Sequence, residues 1–102
     1  MNERLEKLLA FHEAAPDDDF TTYAIALEHV KEGAENDALA WLDKTLAIQP
    51  DHAYAYYQKA GVLSRMERAD DARRAIEDGL AAARRAGDGK AEGELNELLE
   101  DL

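Results

Sequence analysis

The sequence has no cysteine, only two prolines and a single serine, Ser64, in 102 residues. Without cysteine it can form neither a disulfide nor a thiolate-ligated zinc site, and it has no thiol nucleophile. No apolar run approaches the roughly 20 residues that a membrane span needs. The amino-terminal residues are charged from Glu3 onward and lack the apolar segment of a signal peptide. We therefore expect a cytoplasmic protein with no membrane partner.

Patterns of catalytic and metal-binding chemistry are also scarce. None of His12, His29 and His52 has another metal ligand at the helical i, i+4 spacing, and we expect His29 to be a packed core side chain. The aspartate run at 17–19 lacks the glycine and spaced oxygen ligands of a calcium loop, so it is expected to cap the next helix. Ser64 lies in no nucleophile elbow. We predict a protein that is not an enzyme and holds no metal or cofactor.

Basic residues are few relative to acidic ones. The chain carries 23 acidic and 12 basic side chains, a net charge of −11. Such a surface repels a phosphate backbone, so nucleic acid is not an expected partner. Adaptation to high salt and ordinary acidic solubility both fit this excess, and we favour the second.

What the sequence does contain is an internal repeat in an alanine-rich, helix-favouring composition. The Pro-Asp-Asp at 16–18 recurs as Pro-Asp-His at 50–52, an offset of 34 residues. The same offset relates further pairs: Tyr23 and Tyr57, Ala26 and Ala60, Asp37 and Asp71, Leu42 and Ile76, and Leu46 and Leu80. Apolar spacing within each unit has a helical period and predicts helices over 20–32, 36–48, 53–66 and 72–86, flanked by single helices over 3–14 and 90–102.

Helix ends can be predicted from a few residues. Gly33 suits a helix C-terminus, and Pro50 ends the following helix. Arg84 stands where that proline would recur, so the helix there should run on to Gly87. Caps are expected at the start of the second helix of each unit: Asn36 or Asp37 in the first, and Asp70 or Asp71 in the second.

The period and residue types resemble the tetratricopeptide repeat (TPR), a 34-residue helix–turn–helix with set small and large positions. The matching residues in 19–52 are Ala26, Gly33, Ala38, Leu42 and Pro50, and those in 53–86 are Tyr56, Ala60, Leu63, Ala72 and Ile76. The sequence departs from the pattern at Thr22, His29, Lys59 and Gly79. We expect the Lys59 stem to lie along apolar surface with its ammonium group in water.

The resemblance implies an all-α fold, a right-handed α-α superhelix of about six antiparallel helices in one domain, 1–102. Its parts would be a half repeat at 3–18, repeats at 19–52 and 53–86, and a C-terminal capping helix at 87–102. Stacked hairpins bury each other's apolar faces, and small residues let the helices approach closely. A terminal helix needs a polar outer face, which five acids can supply: Glu92, Glu94, Glu97, Glu100 and Asp101.

In the TPR family the first helix of each hairpin lines a concave groove that binds a peptide. Carried over by position, the groove residues are Phe20, Tyr23, Leu27, Val30, Lys31, Tyr54, Tyr57, Gln58, Gly61, Ser64 and Arg65. The aromatic members suit recognition, although Tyr23 and Tyr57 could instead serve packing alone. The lysines and asparagines with which some family members grip a carboxylate are absent, so a more apolar peptide is expected.

A second candidate surface is basic. It consists of Arg65, Arg68, Arg73, Arg74, Arg84 and Arg85. Arginines suit contacts to carboxylates, but we favour a solvated face with local ion pairs to Asp70, Glu77 and Asp78, each contributing little.

The resemblance implies a protein–protein interaction adaptor whose partner is another protein or a peptide. The alternative is a structural module that forms a homo-oligomer through an edge of the stack. Exposed apolar side chains would favour that alternative at either edge: Leu5, Leu9 and Phe11, or Leu98 and Leu102.

Overall fold

The computed structural model describes residues 2–102, which form six α-helices and no strand. They are α1 (Glu3–Ala14), α2 (Asp19–Lys31), α3 (Glu35–Ile48), α4 (Ala53–Arg65), α5 (Ala69–Ala86) and α6 (Gly89–Glu100). None of these helices is long and apolar enough to cross a membrane. The predicted all-α fold is confirmed.

The helices form a stack of hairpins, because each packs mainly on its neighbours in sequence. The closest pairs are α2 with α3 and α4 with α5, and α1 and α6 lie at the two ends. The helix α6 contacts both α5 and α4. The short connections make consecutive helices antiparallel neighbours. The division into a half repeat, two repeats and a cap remains a prediction.

Small residues lie where the helices approach most closely, as predicted. Ala26, Ala38, Ala60 and Ala72 are fully buried. Two core clusters result. One joins α2, α3 and α4 around Leu42. The other joins α4, α5 and α6 and contains Ala53, Ala60, Leu63, Ala72, Ala75, Ile76, Leu80, Ala83, Ala91 and Leu95.

Two predicted helix ends are confirmed, the start of α2 and the end of α5. The Asp18 side chain accepts a hydrogen bond from the Phe20 backbone N–H at 3.0 Å, so the aspartate run caps α2. At the other end, α5 runs to Ala86 and closes with Gly87 in the left-handed conformation at φ +67°. The missing proline therefore lengthens this helix as expected.

The caps predicted for the second helices are wrong. The helix α3 begins at Glu35, one residue before Asn36, and α5 begins at Ala69, before Asp70. Neither helix has a side-chain cap at its start. The four predicted residues instead lie within the first turn, where aspartates still interact favourably with the helix dipole: Asn36, Asp37, Asp70 and Asp71.

The reason lies in how the preceding helices end. Gly33 has φ +71° and Glu67 has φ +60°. Each is followed by a backbone bond from the next N–H to a carbonyl five residues back, Ala34 to His29 and Arg68 to Leu63, both at 2.9 Å. These closing turns bring the chain directly into the next helix and leave no separate capping residue.

The first helix is held to the stack mainly by polar contacts. No residue of α1 is fully buried. The Asn2 side chain donates to Glu28 at 3.1 Å and to Glu32 at 2.9 Å. Arg4 Nε lies 3.3 Å from a Glu28 carboxylate oxygen, and the His12 ring meets Trp41 edge-on at 4.9 Å.

Lys59 follows its expectation. Its ammonium group pairs with Asp43 on α3 at 2.8 Å, and the side chain is partly covered. His29 is half-buried rather than fully packed, and its Nδ1 is buried with no hydrogen-bond partner among residues 2–102.

Candidate peptide-binding groove

The first helices α2 and α4 present the eleven predicted groove residues, and we call this side of the stack the first-helix face. Seven of these residues are half-buried: Tyr23, Leu27, Val30, Tyr54, Tyr57, Gln58 and Gly61. Four are exposed: Phe20, Lys31, Ser64 and Arg65. Phe20 is the most open large apolar side chain, with 77% of its surface exposed. Every one of these residues therefore has surface that solvent or a ligand can reach.

Tyr23 links the first-helix face to the core. Its ring is half-buried against the α2–α3–α4 cluster and lies 4.6 Å from the His52 ring. Burial raises the pKa of the Tyr23 hydroxyl, against the opposing effect of its hydrogen bond with Gln58. The Tyr23 side chain therefore packs against the core and also keeps part of its surface exposed on the first-helix face.

His52 is fixed at the start of α4. Its Nδ1 accepts a hydrogen bond from the Ala55 backbone N–H at 3.1 Å. Burial lowers the pKa of His52, against the opposing charge of Asp19. The neutral ring that caps the helix is therefore favoured, and it packs at a tilt of 38° against the Tyr23 ring.

Tyr54 and Tyr57 form a second aromatic pair on α4, the next first helix along the stack. Their ring centroids are 6.4 Å apart in an edge-on arrangement, and both pack against the α4–α5–α6 cluster. The neighbouring Glu94 carboxylate, together with burial, raises the pKa of Tyr54 to about 12. The phenol therefore remains a hydrogen-bond donor at neutral pH.

The contact with Glu94 corrects one expectation about α6. Glu94 was predicted to lie on a polar outer face, but it is half-buried and faces Tyr54. The caps of α2, α4 and α6 are Asp18, His52 and Asp88. These caps are 34 and 36 residues apart. The helix α6 therefore corresponds to the first helix of a further repeat, with its residues two positions later than the 34-residue period predicts.

Counted from its cap, α6 adds an acidic wall to the first-helix face. The residues at groove positions are Lys90, Gly93, Glu94, Glu97, Glu100 and Asp101. Counting in steps of 34 misses this, because the longer α5 shifts the register. The absent proline at Arg84 was the available signal. Glu92 lies elsewhere and pairs with Arg84 at 2.9 Å.

The arginine cluster is largely neutralised within the chain. Asp71 forms salt bridges with both Arg68 and Arg74, and the Asp70 carboxylate lies 3.8 Å from the Arg73 guanidinium. The predicted ion-pair partners Glu77 and Asp78 are wrong, since neither forms a salt bridge among residues 2–102.

The last two arginines connect separate elements. Arg85 pairs with Asp51 at 2.7 Å, and Arg84 pairs with Glu92 as above. Because five of its six arginines are paired, this surface offers little free positive charge to an anionic partner.

A cleft of about 400 Å³ between α3, α4 and α5 is the other candidate site. All of its charged side chains except Asp78 are paired with one another, as in the Lys59–Asp43 and Arg68–Asp71 contacts. Within residues 2–102 no group of three histidine, aspartate or glutamate side chains is arranged to hold a metal ion. The first-helix face is therefore the better candidate site.

Two solved structures of a tetratricopeptide repeat domain protein from Salinibacter ruber are similar to this chain. The crystal structure is 33% identical, covers 82% of this chain and 93% of that chain, and has a TM-score of 0.77. The solution NMR structure is 34% identical, covers 84% of this chain and 87% of that chain, and has a TM-score of 0.78.

A solution structure of a protein from Bordetella parapertussis extends the likeness to nearly the whole chain. It is 26% identical, covers 99% of this chain and 88% of that chain, and has a TM-score of 0.85. No protein-family model and no curated protein matches the sequence.

Proposed function

The chain belongs to the tetratricopeptide-repeat family, and we propose that it is an adaptor that binds a peptide segment of a partner protein along the first-helix face. The family fold indicates a protein–protein interaction module. The observation that carries the finer proposal is the half-exposed tyrosine strip of α2 and α4, formed by Tyr23, Tyr54 and Tyr57.

These tyrosines suit recognition because their rings are already held in place. His52 packs against Tyr23, and the Tyr54 and Tyr57 rings contact each other edge-on. A ring that is fixed before binding loses little conformational entropy on binding. Each also offers a broad apolar surface with a polar tip, which is typical of energetically important interface residues.

The charges around the strip indicate which peptide fits. The α6 wall contributes Glu94, Glu97 and neighbouring acids, whereas the α2 wall offers Phe20 and Leu27. An amphipathic segment with apolar side chains toward α2 and α4 and basic side chains toward α6 would complement both walls. The acidic wall also disfavours capture of a peptide's C-terminal carboxylate.

Gly61 provides a direct test, because it lies on the first-helix face without a close neighbour. An added Cβ would meet only the tip of Arg65, at 3.7 Å. Gly61→Leu should therefore fill the groove while removing a helix-weakening glycine, which stabilises the fold by about 0.5–1 kcal/mol. Peptides selected from a random library on the wild-type chain should bind this variant at least about tenfold more weakly.

The matched control is Ala81→Leu, which places the same side chain on the exposed surface of α5. It should bind the selected peptides as the wild type does. A second variant, Tyr23→Ala/Tyr57→Ala, should also lose binding, although with some loss of stability. Unchanged affinity in folded Gly61→Leu would exclude the groove as the binding site.

A further inference from the structure

One face of α1 is open along its length, and we call Arg4, Lys7, Leu8 and Phe11 on this face the α1 strip. Phe11 has 65% of its surface exposed. Two shallow depressions of about 400 Å³ each lie on the helix, and Lys7 and Phe11 line both of them. The strip thus combines apolar surface with the basic side chain of Lys7, and with Arg4, which also pairs with Glu28 of α2, in a chain of net charge −11.

The repeat register shows what normally covers such a strip. Leu8 corresponds to Leu42 and Ile76, which are fully buried. Phe11 corresponds to Thr45 and Gly79, which are also buried. These residues are buried because α3 and α5 pack against the first helices α2 and α4. The helix α1 has the same register, but no helix of residues 2–102 covers its strip.

At the other end of the stack, α6 has no second helix of residues 2–102 packed against it as α5 packs against α4. Counted from its cap, α6 places Asn96 and Leu99 where α4 has Ala60 and Leu63. In α4 those positions are almost fully buried. In α6, Asn96 is exposed and Leu99 is only half-buried. The side of α6 that would receive a second helix is therefore open.

We propose that the α1 strip of one copy packs on this open side of α6 in a second copy, so that the two helices complete a hairpin. In the second hairpin the positions equivalent to Lys7 and Asn96 are held by Ala75 and Ala60, which belong to one packed cluster. The same register brings the α1 strip along Asn96 and Leu99.

The charges favour this pairing over an association of two α1 helices. Lys7 would meet a helix that carries the exposed acids Glu97 and Glu100, the first of which directly follows Asn96. Two α1 strips would instead bring like charges together, which is unfavourable. The helix α6 of a second copy is thus the complementary occupant.

The contact is head-to-tail, so it leaves an open α1 strip at one end of a dimer and an open α6 at the other. Such heterologous contacts extend into chains of copies unless the rotation closes a ring. Each junction would continue the row of first helices from α6 of one copy to α2 of the next. This association is independent of the peptide-binding proposal.

The first measurement is the mass of the 102-residue chain by sedimentation equilibrium, at about 0.15 M salt and up to about 1 mM protein. We expect a mass that rises with concentration above the 11.3 kDa of one chain. Phe11→Asp should abolish the rise. Phe20→Asp should keep it, because Phe20 is at least as exposed but lies outside both surfaces.

Two charge variants test the pairing itself. Lys7→Glu and Asn96→Lys should each abolish the rise in mass, and the double variant should restore it, because the two introduced side chains carry opposite charges. An equimolar mixture of Phe11→Asp and Asn96→Lys retains one intact surface of each kind, so its mass should approach but not exceed twice that of one chain.

Each alternative outcome overturns the proposal. A wild type that stays at one chain mass across the range shows no association. Loss of association in Phe11→Asp but not in Asn96→Lys would mean that α1 meets another surface, such as a second α1. Because Phe11, Lys7 and Asn96 are exposed, circular dichroism should show that all variants remain folded.

Discussion

The hydroxyl oxygens of Thr22 and Thr45 lie 2.8 Å apart across the interface between α2 and α3. Both side chains are fully buried. Thr22 also reaches the Asp19 carbonyl oxygen at 3.1 Å, and Thr45 reaches that of Trp41 at 2.9 Å. Two buried hydroxyls thus satisfy each other at the first hairpin's crossing.

The second hairpin fills the same crossing differently. Thr22 corresponds to Tyr56 and Thr45 to Gly79, so two medium side chains are replaced by one large and one absent side chain. A Cβ on Gly79 would lie 2.7 Å from the Tyr56 Cβ and 3.2 Å from the Leu95 methyl groups. The sequence departures at Thr22 and Gly79 are therefore compensated by their partners.

Gly79→Ala should lower the free energy of unfolding by about 1–3 kcal/mol, because the added methyl overpacks the crossing. This outweighs the gain of roughly 1 kcal/mol expected for replacing a helical glycine. Urea unfolding followed by circular dichroism measures the difference. Gly61→Ala is the control and should be more stable than wild type. An equal or higher stability for Gly79→Ala would contradict the overpacking argument.

Glu67→Gly should raise the free energy of unfolding by about 0.5–1 kcal/mol, because a side chain in the left-handed region costs about that much or more. Glu67 has φ +60°, and its repeat equivalent Gly33 has φ +71°. Gly33→Glu is the matched reverse substitution and should be destabilising. If both substitutions shift the unfolding midpoint in the same direction, backbone conformation does not decide stability at these turns.

Glu28 should make the attachment of α1 sensitive to acid. Its side chain is buried, and the hydrogen bond from Asn2, aided by Lys31, holds its pKa below the ordinary value of 4.5. The unfolded chain therefore binds the proton more readily. Stability from this carboxylate is fully present above pH 4.5 and is lost as the pH falls through the lower folded pKa.

Trp41 reports this attachment, because it is the one tryptophan and it contacts His12 of α1. Its emission should change below pH 4.5, and Glu28→Gln should flatten the acid dependence of unfolding in that range. Glu97→Gln, at an exposed site, is the control and should follow the wild type. Identical pH profiles for all three proteins would rule out Glu28 as the source.

Glu94→Gln should lower the pKa of Tyr54 from about 12 toward the ordinary value of 10, since the carboxylate stabilises the neutral phenol. Ultraviolet titration of tyrosinate absorbance measures the change, with Tyr54→Phe identifying which transition belongs to Tyr54. Glu97→Gln is the matched control one helical turn away. A titration curve unchanged by Glu94→Gln would place Glu94 away from the first-helix face.

Several features of the site could be predicted from the sequence because they follow the repeat. The groove residues of α2 and α4, such as Tyr23 and Tyr57, could be named from the resemblance to the repeat family. Whether they bind a peptide stays a prediction. The acidic wall of α6 could not be placed in this way, because the register depends on where α5 ends and Asp88 caps the next helix.

Buried polar residues are the other feature that the sequence does not predict. Glu28 stands where the second repeat has Val62, and nothing in the local pattern shows that Asn2, Arg4 and Lys31 converge on it. Leu98 and Leu102, whose exposure would favour the homo-oligomer, are half-buried and pack against the α4–α5–α6 cluster. Phe11 and Leu9 are exposed as the alternative function required.

By itself, the sequence determined the helices and their pairing, since apolar spacing and turn residues act over a few neighbouring positions. Only the tertiary structure decided which side each end helix leaves open, how Thr22 and Gly79 are accommodated, and which wall of the groove is acidic. These features depend on side chains that meet across helices, and the distances between them are not encoded in any local pattern.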